Sequence, residues 1–449
     1  MKKFRNIILS GLLVLGLNQS CKKDFIEGYD VDPNRPLDVS MDVLLTSSEA
    51  YTIYVTSSDL PRITNVIMQQ MTGADRQFLA IDRYVIAGSD FENMWEIDAY
   101  GGAMKDLKIL IEKAGTESPH YSGVAKILMA LNLATLSDAF NDIPYTEALM
   151  GSIDAGLEPS YDSQESIFQA VQSLLDEGIS DVNASSSVLS PGSDDFYFSG
   201  NLAMWTKFAH SLKARYYNRI SNKGNFDSDI MNSISNGFGS GEGCLPTFAS
   251  TKPQSNPWYQ FIVVDREGYI NLSGTMIDTM TSRGDTNRRN VYQNTSGFYF
   301  QASSPSIIFH ENELLFIEAE TMLRSGSSVA DVQAKLNDAV SSHFSMIGLD
   351  GSDYVSNHLV DLSSLSTNDE KHEAIIWEKY IASYTTNEAW ADYRRTGYPT
   401  LTPASNATGG IGIPSRFPYP QSEYLYNSNT PSDVEEFPAS LTTSVWWAQ

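Results

Sequence analysis

Asn256-Pro257-Trp258-Tyr259-Gln260 sets two aromatic rings among amide side chains, and Tyr269, Asn271, Tyr292, Gln293, Asn294, Tyr299 and Gln301 follow in the same stretch. Such a mixture suits one kind of chemistry. A pyranose ring offers an apolar face of C–H groups that stacks on Trp or Tyr, and its vicinal hydroxyls match the paired donors and acceptors of planar Asn, Gln, Asp or Arg side chains. Rings and amides on loops held by a rigid scaffold therefore compose a saccharide site. The candidate ligand-binding residues are Trp258, Tyr259, Asn256, Tyr269 and Tyr299. The same residues admit a second reading, in which Trp258 and Tyr259 pin their loop to the scaffold. The sequence leaves both open.

Catalysis leaves no comparable trace. There is no H-E-x-x-H, G-x-S-x-G, P-loop or G-x-G-x-x-G motif, and His120, His210, His310, His343, His358 and His372 lack ligand spacing, so neither a catalytic metal nor a cofactor is expected. His310 with Glu311 and Glu313 comes nearest to a ligand cluster, but it opens the run ENELLFIEAE, where acids stabilise a helix N-terminus. With 55 Asp and Glu residues, some carboxylate pair at glycosidase spacing is inevitable and carries no inference. Arg283-Gly284-Asp285 reads as a local Gly-Asp turn beside Arg288 and Arg289. A surface glycoside hydrolase and an adhesion protein are the alternative classes.

The chain carries 30 basic and 55 acidic residues, a formal net charge of −25, with no block of five or six basic side chains. Nucleic acid is excluded as a partner, and so is electrostatic attachment to anionic lipid. The first residues offer another route to a membrane. Lys2, Lys3 and Arg5 precede the apolar run Ile7 to Leu17, which has the length of a secretory signal rather than of a bilayer span. Ser20 precedes Cys21, the arrangement cleaved ahead of an acylated cysteine in bacterial lipoproteins, with Asn18 where the strict lipobox has Leu. The expected organisation is a lipoprotein signal peptide over 1–20, a lipid-anchored tether over 21–36 and a single domain over 37–449, with Cys21 as the lipidation site. With Cys21 acylated only Cys244 is left, so an intramolecular disulfide is excluded and stability must come from packing.

The elements that must carry the loops are helical. Leu107, Leu110, Ile111 and Ala114 fall at i, i+3, i+4 and i+7, and Val124, Ile127, Leu128 and Leu131 repeat that spacing within 121–139. Ile167, Val171, Leu174 and Leu175 mark a third helix, 202–220 a fourth, Leu314 to Leu323 a fifth, Val329 to Val340 a sixth and 370–386 a seventh. Short connections imply helix pairs. The stretches 183–200, 223–310, 345–368 and 397–449 lack a clean period and are read as excursions on the scaffold. Trp95, Trp205, Trp377, Trp390, Trp446 and Trp447 are read mostly as packing residues, leaving Trp258 in an excursion.

Five ordered segments carry a resemblance. FNDIPYTEAL from Phe140 resembles a G-D-I-P-Y-x-E-A segment with Asn141 in place of Gly, and EPSYDSQESIFQAV from Glu158 is similar to the segment that follows it. MWTKFAHSLKARYYNRIS from Met204 resembles W-x-K-F-A-N-S-L-x-x-R, with His210 in place of Asn. NEAWADYRRTGYPTL from Asn387 and IPSRFPYPQSEYLYN from Ile413 resemble E-x-W-x-D-x-R-R-T-G-x-P and I-P-x-R-x-x-Y-P-x-x-E-x-x-x-N. Together these segments resemble the SusD/RagB family of outer-membrane nutrient-binding lipoproteins of Bacteroidetes. The resemblance implies an all-α scaffold, an α/α superhelix of tetratricopeptide-like helix pairs with long loop excursions. It also implies an outer-membrane, surface-exposed location and a SusC-type TonB-dependent transporter as partner, with an oligosaccharide or peptide as ligand. The shared residues themselves read as architecture: Trp390 packs inward, Asp392, Arg394 and Arg395 make charge-assisted hydrogen bonds, Gly397 turns the chain and Pro399 stops the helix.

Overall fold

The computed structural model describes residues 38–150 and 157–449. The signal peptide, Cys21 and the tether lie outside the described residues. The chain divides into Met1–Ser40, of which 38–40 carry no regular structure, and Met41–Gln449, to which everything below refers.

The architecture is all-α. Its main helices are α1 (Met41–Ser57), α2 (Asp59–Ile67), α3 (Met104–Ala114), α4 (Pro119–Phe140), α5 (Gln164–Val182), α6 (Leu202–Arg219), α7 (Asp227–Asn236), α8 (Glu311–Arg324), α9 (Val329–Met346), α10 (Asn368–Ala382) and α11 (Glu388–Thr396). Side-chain caps start several of them: Ser163 accepts from Ser166 N–H before α5, Asn201 from Met204 N–H before α6, and Thr367 with Glu370 forms a reciprocal capping box before α10. The seventh expected helix ends at Ala382, short of residue 386, because Ser383 to Thr386 turn the chain into α11. The expected apolar spacing did not mark α1 and α2, since Ser48, Glu49, Thr52, Arg62, Thr64 and Asn65 occupy their buried faces. Hydrogen bonds within the helix and across the fold make that burial tolerable: Asn65 Nδ2 donates to the carbonyls of Pro61 and Thr386, and its Oδ1 accepts from Thr385 N–H.

Helix α4 is buried on nearly every side, from Tyr121 to Phe140. Among the described residues it alone is long and apolar enough to span a bilayer by composition, yet 83% of that window is inside the fold. It approaches α5 closely through Gly123 and Gly178: a Cβ at Gly123 would lie 2.7 Å from Val182 Cγ1, and one at Gly178 would lie 2.7 Å from Ile127 Cγ1. A second core joins α8, α9 and α10 through Phe316, Val332, Leu336, Val340 and Ile375.

The shared segments have the architectural roles read for them. Asn141, standing where the resembled segment has Gly, takes a φ of 78° at the end of α4. Trp390 is buried and donates from Nε1 to the carbonyl of Pro414, while the Arg394 guanidinium lies 3.4 Å over its ring. Arg395 pairs with Glu320 and Asp392, Lys379 with Asp392, and Gly397 closes α11 at a φ of 79°. Beside them Arg219 bridges Asp138 and Glu388. Burial opposes ionisation of Glu388, but the guanidinium groups of Arg215 and Arg219 outweigh it and hold its pKa at about 2. Of the two C-terminal tryptophans, Trp447 is in the core, whereas Trp446 is half-exposed because only its neighbour turns inward.

Candidate ligand-binding surface

One short ladder fastens the 223–310 excursion to the scaffold, and a second closes within it. Strand β1 (Thr72–Gly73) pairs antiparallel with β3 (Ile270–Asn271), and β2 (Gly243–Cys244) with β4 (Phe309–His310). The first ladder continues where Ala74 N–H and Asp75 N–H donate to the Tyr269 carbonyl, at 2.9 and 3.3 Å. Gly73 has no room for a side chain, since a Cβ there would sit 1.8 Å from the Phe78 carbonyl oxygen. The short helix Arg76–Ile81 that follows begins with Arg76 at a φ of 49°, a strained conformation for a non-glycine residue, with its side chain exposed.

Asn256 starts the aromatic stretch as a cap. Its Oδ1 accepts from Trp258 N–H at 2.8 Å and Tyr259 N–H at 3.1 Å, and its Nδ2 donates to the Ser304 carbonyl at 3.0 Å. Trp258 follows, 2% exposed and edge-on to Phe300 at 6.2 Å. From Gln260 to Asp265 the chain winds as a π-helix, a form concentrated at functional sites because it re-aims side chains. There Phe261 meets Phe78 at 5.2 Å and Tyr269 at 6.3 Å, both edge to face. Arg62 fixes the same segment from the scaffold, donating to the Pro257 carbonyl at 2.9 Å and lying 4.4 Å from the Phe261 ring centre.

The expected residues thus separate into two groups. Trp258, Asn256 and Tyr299 are buried and hold the loop, the role left open for Trp258 beside stacking. Tyr299 stands edge-on to Tyr384 at 5.1 Å within a cluster in which Tyr292 stacks on Tyr384 at 4.6 Å, so its ring faces protein rather than solvent. Tyr259 and Tyr269 are half-exposed. Around Tyr269 the structure adds groups that spacing alone did not reveal: half-buried Phe261, and Arg266, whose guanidinium lies 5.8 Å over the Tyr269 ring. Asn271 beside them is exposed. Only the Arg-Glu-Gly turn before Tyr269 hinted at this in the sequence. The result is a surface of partly bared rings with a guanidinium and an amide at its edge, able to stack on a flat C–H face and hydrogen-bond hydroxyls.

The other features singled out in the sequence are structural. His310 caps α8, its Nδ1 accepting from Asn312 N–H at 3.2 Å, and Glu313 pairs with Arg215. Among the described residues no group of three or more His, Cys, Asp or Glu side chains could hold a metal ion. Asp285 is buried against Arg288 at 2.6 Å and Arg283 reaches Glu378 at 3.2 Å, so the Arg-Gly-Asp tripeptide is tied into the fold.

A SusD-like family described as "Starch-binding associating with outer membrane" matches residues 33–298 and 286–420. A SusD/RagB family protein from Bacteroides thetaiotaomicron VPI-5482 has a similar structure, with a TM-score of 0.75 at 20% identity over 92% of this chain and 99% of that one. A chitin-binding SusD homolog from Flavobacterium johnsoniae gives 0.74 at 19% identity, over 90% of this chain and 98% of its own. A SusD homolog from Bacteroides uniformis ATCC 8492 gives 0.71 at 23% identity, over 92% and 100%. No curated protein matches the sequence.

Proposed function

The chain belongs to the SusD-like family, and from that premise we propose that it is a non-catalytic cell-surface lipoprotein which binds glycan, or another nutrient oligomer, and passes it to a SusC-type TonB-dependent outer-membrane transporter. The observation that carries the binding role is the Tyr269 surface: half-exposed Phe261 and Tyr269 in contact, with the Arg266 guanidinium over the Tyr269 ring, half-exposed Tyr259 two residues before Phe261 and exposed Asn271 two residues after Tyr269, on a segment pinned by the β1·β3 ladder. Family membership supports a starch-like ligand, and the chitin-binding homolog supports a wider choice of saccharide. Acylation at Cys21 supplies the anchor. Delivery needs a partner because a tethered binder has no path across the membrane for its ligand.

Calorimetry on the full chain in mild detergent tests the reading, with maltoheptaose and chitohexaose as probes. Heat of binding without the appearance of new reducing ends is expected. New reducing ends would place the protein among hydrolases, and adherence to host cells without heat from either probe would favour adhesion. Co-purification with a TonB-dependent barrel tests the partner; a free monomer, with the barrel detected elsewhere in the same extract, would overturn it.

A further inference from the structure

A second surface of saccharide-binding composition lies apart from the excursion. A groove of about 650 Å³ runs between α5, α6, the connection after α6 and the C-terminal Trp446, and shares no residue with the Tyr269 surface. Its volume is in the range of small-molecule sites, about 300 to 1,000 Å³. Three half-exposed rings line it: Tyr217 and Phe226, stacked at 5.6 Å with 24° between their planes, and Trp446, with Lys223 Nζ 5.3 Å from its ring centre. Two planar amides, Gln169 and Gln172, stand with them.

Gln172 is the independent pointer. Both polar atoms of its side chain are shielded from solvent, and neither has a hydrogen-bond partner among the described residues. Shielded amides are nearly always satisfied. Gln172 lines the groove, where adjacent ligand hydroxyls would supply the donor and the acceptor its amide lacks. Charge narrows the ligand further. In a chain of net charge −25 the groove carries one acid, Glu165, and one base, Lys223, so it selects neither cations nor anions.

We propose that this groove is a second site for an uncharged oligosaccharide, with Trp446 and the Tyr217–Phe226 pair as stacking platforms and Gln172 as the hydroxyl reader. The inference rests on the saccharide-binding reading for its choice of ligand. Two sites on one molecule raise the avidity for a long polymer without strengthening either contact.

Hydroxyl-radical footprinting of the unmodified full chain, with and without maltoheptaose and chitohexaose, separates the two surfaces without any substitution. Protection of Trp446, Tyr217 and Phe226 is expected beside that of Tyr259 and Tyr269. Protection of the groove alone supports the groove and removes the excursion surface. Protection of Tyr259 and Tyr269 alone overturns the groove and leaves the first reading standing, and protection at neither overturns both. Trp446→Ala is expected to weaken groove binding about tenfold or more, the effect of losing one stacked ring, and unchanged occupancy of the groove in that variant would count against the assignment.

Discussion

Arg288 and Glu378 meet at 2.9 Å with their side chains 0% and 1% exposed, deep beneath the loop that carries the Arg-Gly-Asp tripeptide. Glu378 also accepts from the Tyr354 hydroxyl at 2.8 Å and from Arg283 at 3.2 Å, so one carboxylate gathers three donors, two from either side of the Gly-Asp turn and one from a distant segment. Its loss would leave Arg288 with Asp285 as its one ion-pair partner among the described residues. Glu378→Ala is therefore expected to cost about 3 to 5 kcal/mol, the range for breaking a buried pair. Urea unfolding measures it, and a loss below about 1 kcal/mol, the scale of a surface pair, would contradict the role given to this network.

Trp258 and Tyr269 share an excursion but differ in exposure, and their alanine variants should differ in kind. Trp258→Ala removes a core ring and is expected to cost about 3 to 5 kcal/mol of stability. Tyr269→Ala is expected to leave the melting temperature unchanged and weaken maltoheptaose or chitohexaose binding by about 1 to 3 kcal/mol, the value of one stacked ring. The reverse pattern would return Trp258 to the site.

Gly73 has a steric reason to be glycine. Gly73→Ala drives a methyl group into the Phe78 carbonyl, so it should cost about 1 to 3 kcal/mol through strain and weaken saccharide binding by displacing the ladder under Tyr269. Unaltered affinity would show that β1 is not needed to position the surface.

His310 gives the fold a specific sensitivity to acid. Burial pushes its pKa down to about 4, and its Nδ1 must stay unprotonated to accept the Asn312 N–H. An unfolded His titrates near 6.5, so below about that pH the unfolded state binds the extra proton. The stability contributed by the neutral ring is complete above about 6.5 and is lost as the pH falls toward 4. His310→Asn keeps a capping oxygen and removes the titration. Its melting temperature should fall less steeply across that interval than the parent's; parallel curves would exclude His310 as a source of the acid response.

Cys21→Ala removes the proposed acylation site. The exported variant should partition into the soluble fraction in cells lacking the transporter. Retention in the outer membrane under those conditions would require another anchor.

What the sequence disclosed follows from where apolar spacing was clean. Helices α3 to α6 and α8 to α10 were legible from their period, and the role of Trp390, Asp392 and Arg395 from side-chain chemistry. Helices α1 and α2 were not, because Glu49, Thr52, Arg62 and Asn65 lie on their inner faces, and the partners from distant segments that help to make this tolerable cannot be read from local spacing. Residue types also cannot separate a bared ring from a buried one. Trp258, Tyr299 and Tyr269 look equivalent on the page, and only the fold assigns the first two to packing. Phe261 and Arg266 join Tyr269 through the π-helical turn, which no local pattern announced.

The β1·β3 ladder is two residues long, yet Thr72 Oγ1 also donates to the carbonyl of Ser273, 201 positions further along the chain. Helix pairs such as α8 and α9 close over a few residues and form early, whereas a contact of such span must wait until the intervening chain has condensed. The ring surface around Tyr269 is thus expected to become native after the helix pairs. A chain with every helix formed but this clasp open would present no saccharide platform, so affinity for a sugar serves as a functional assay of completed folding.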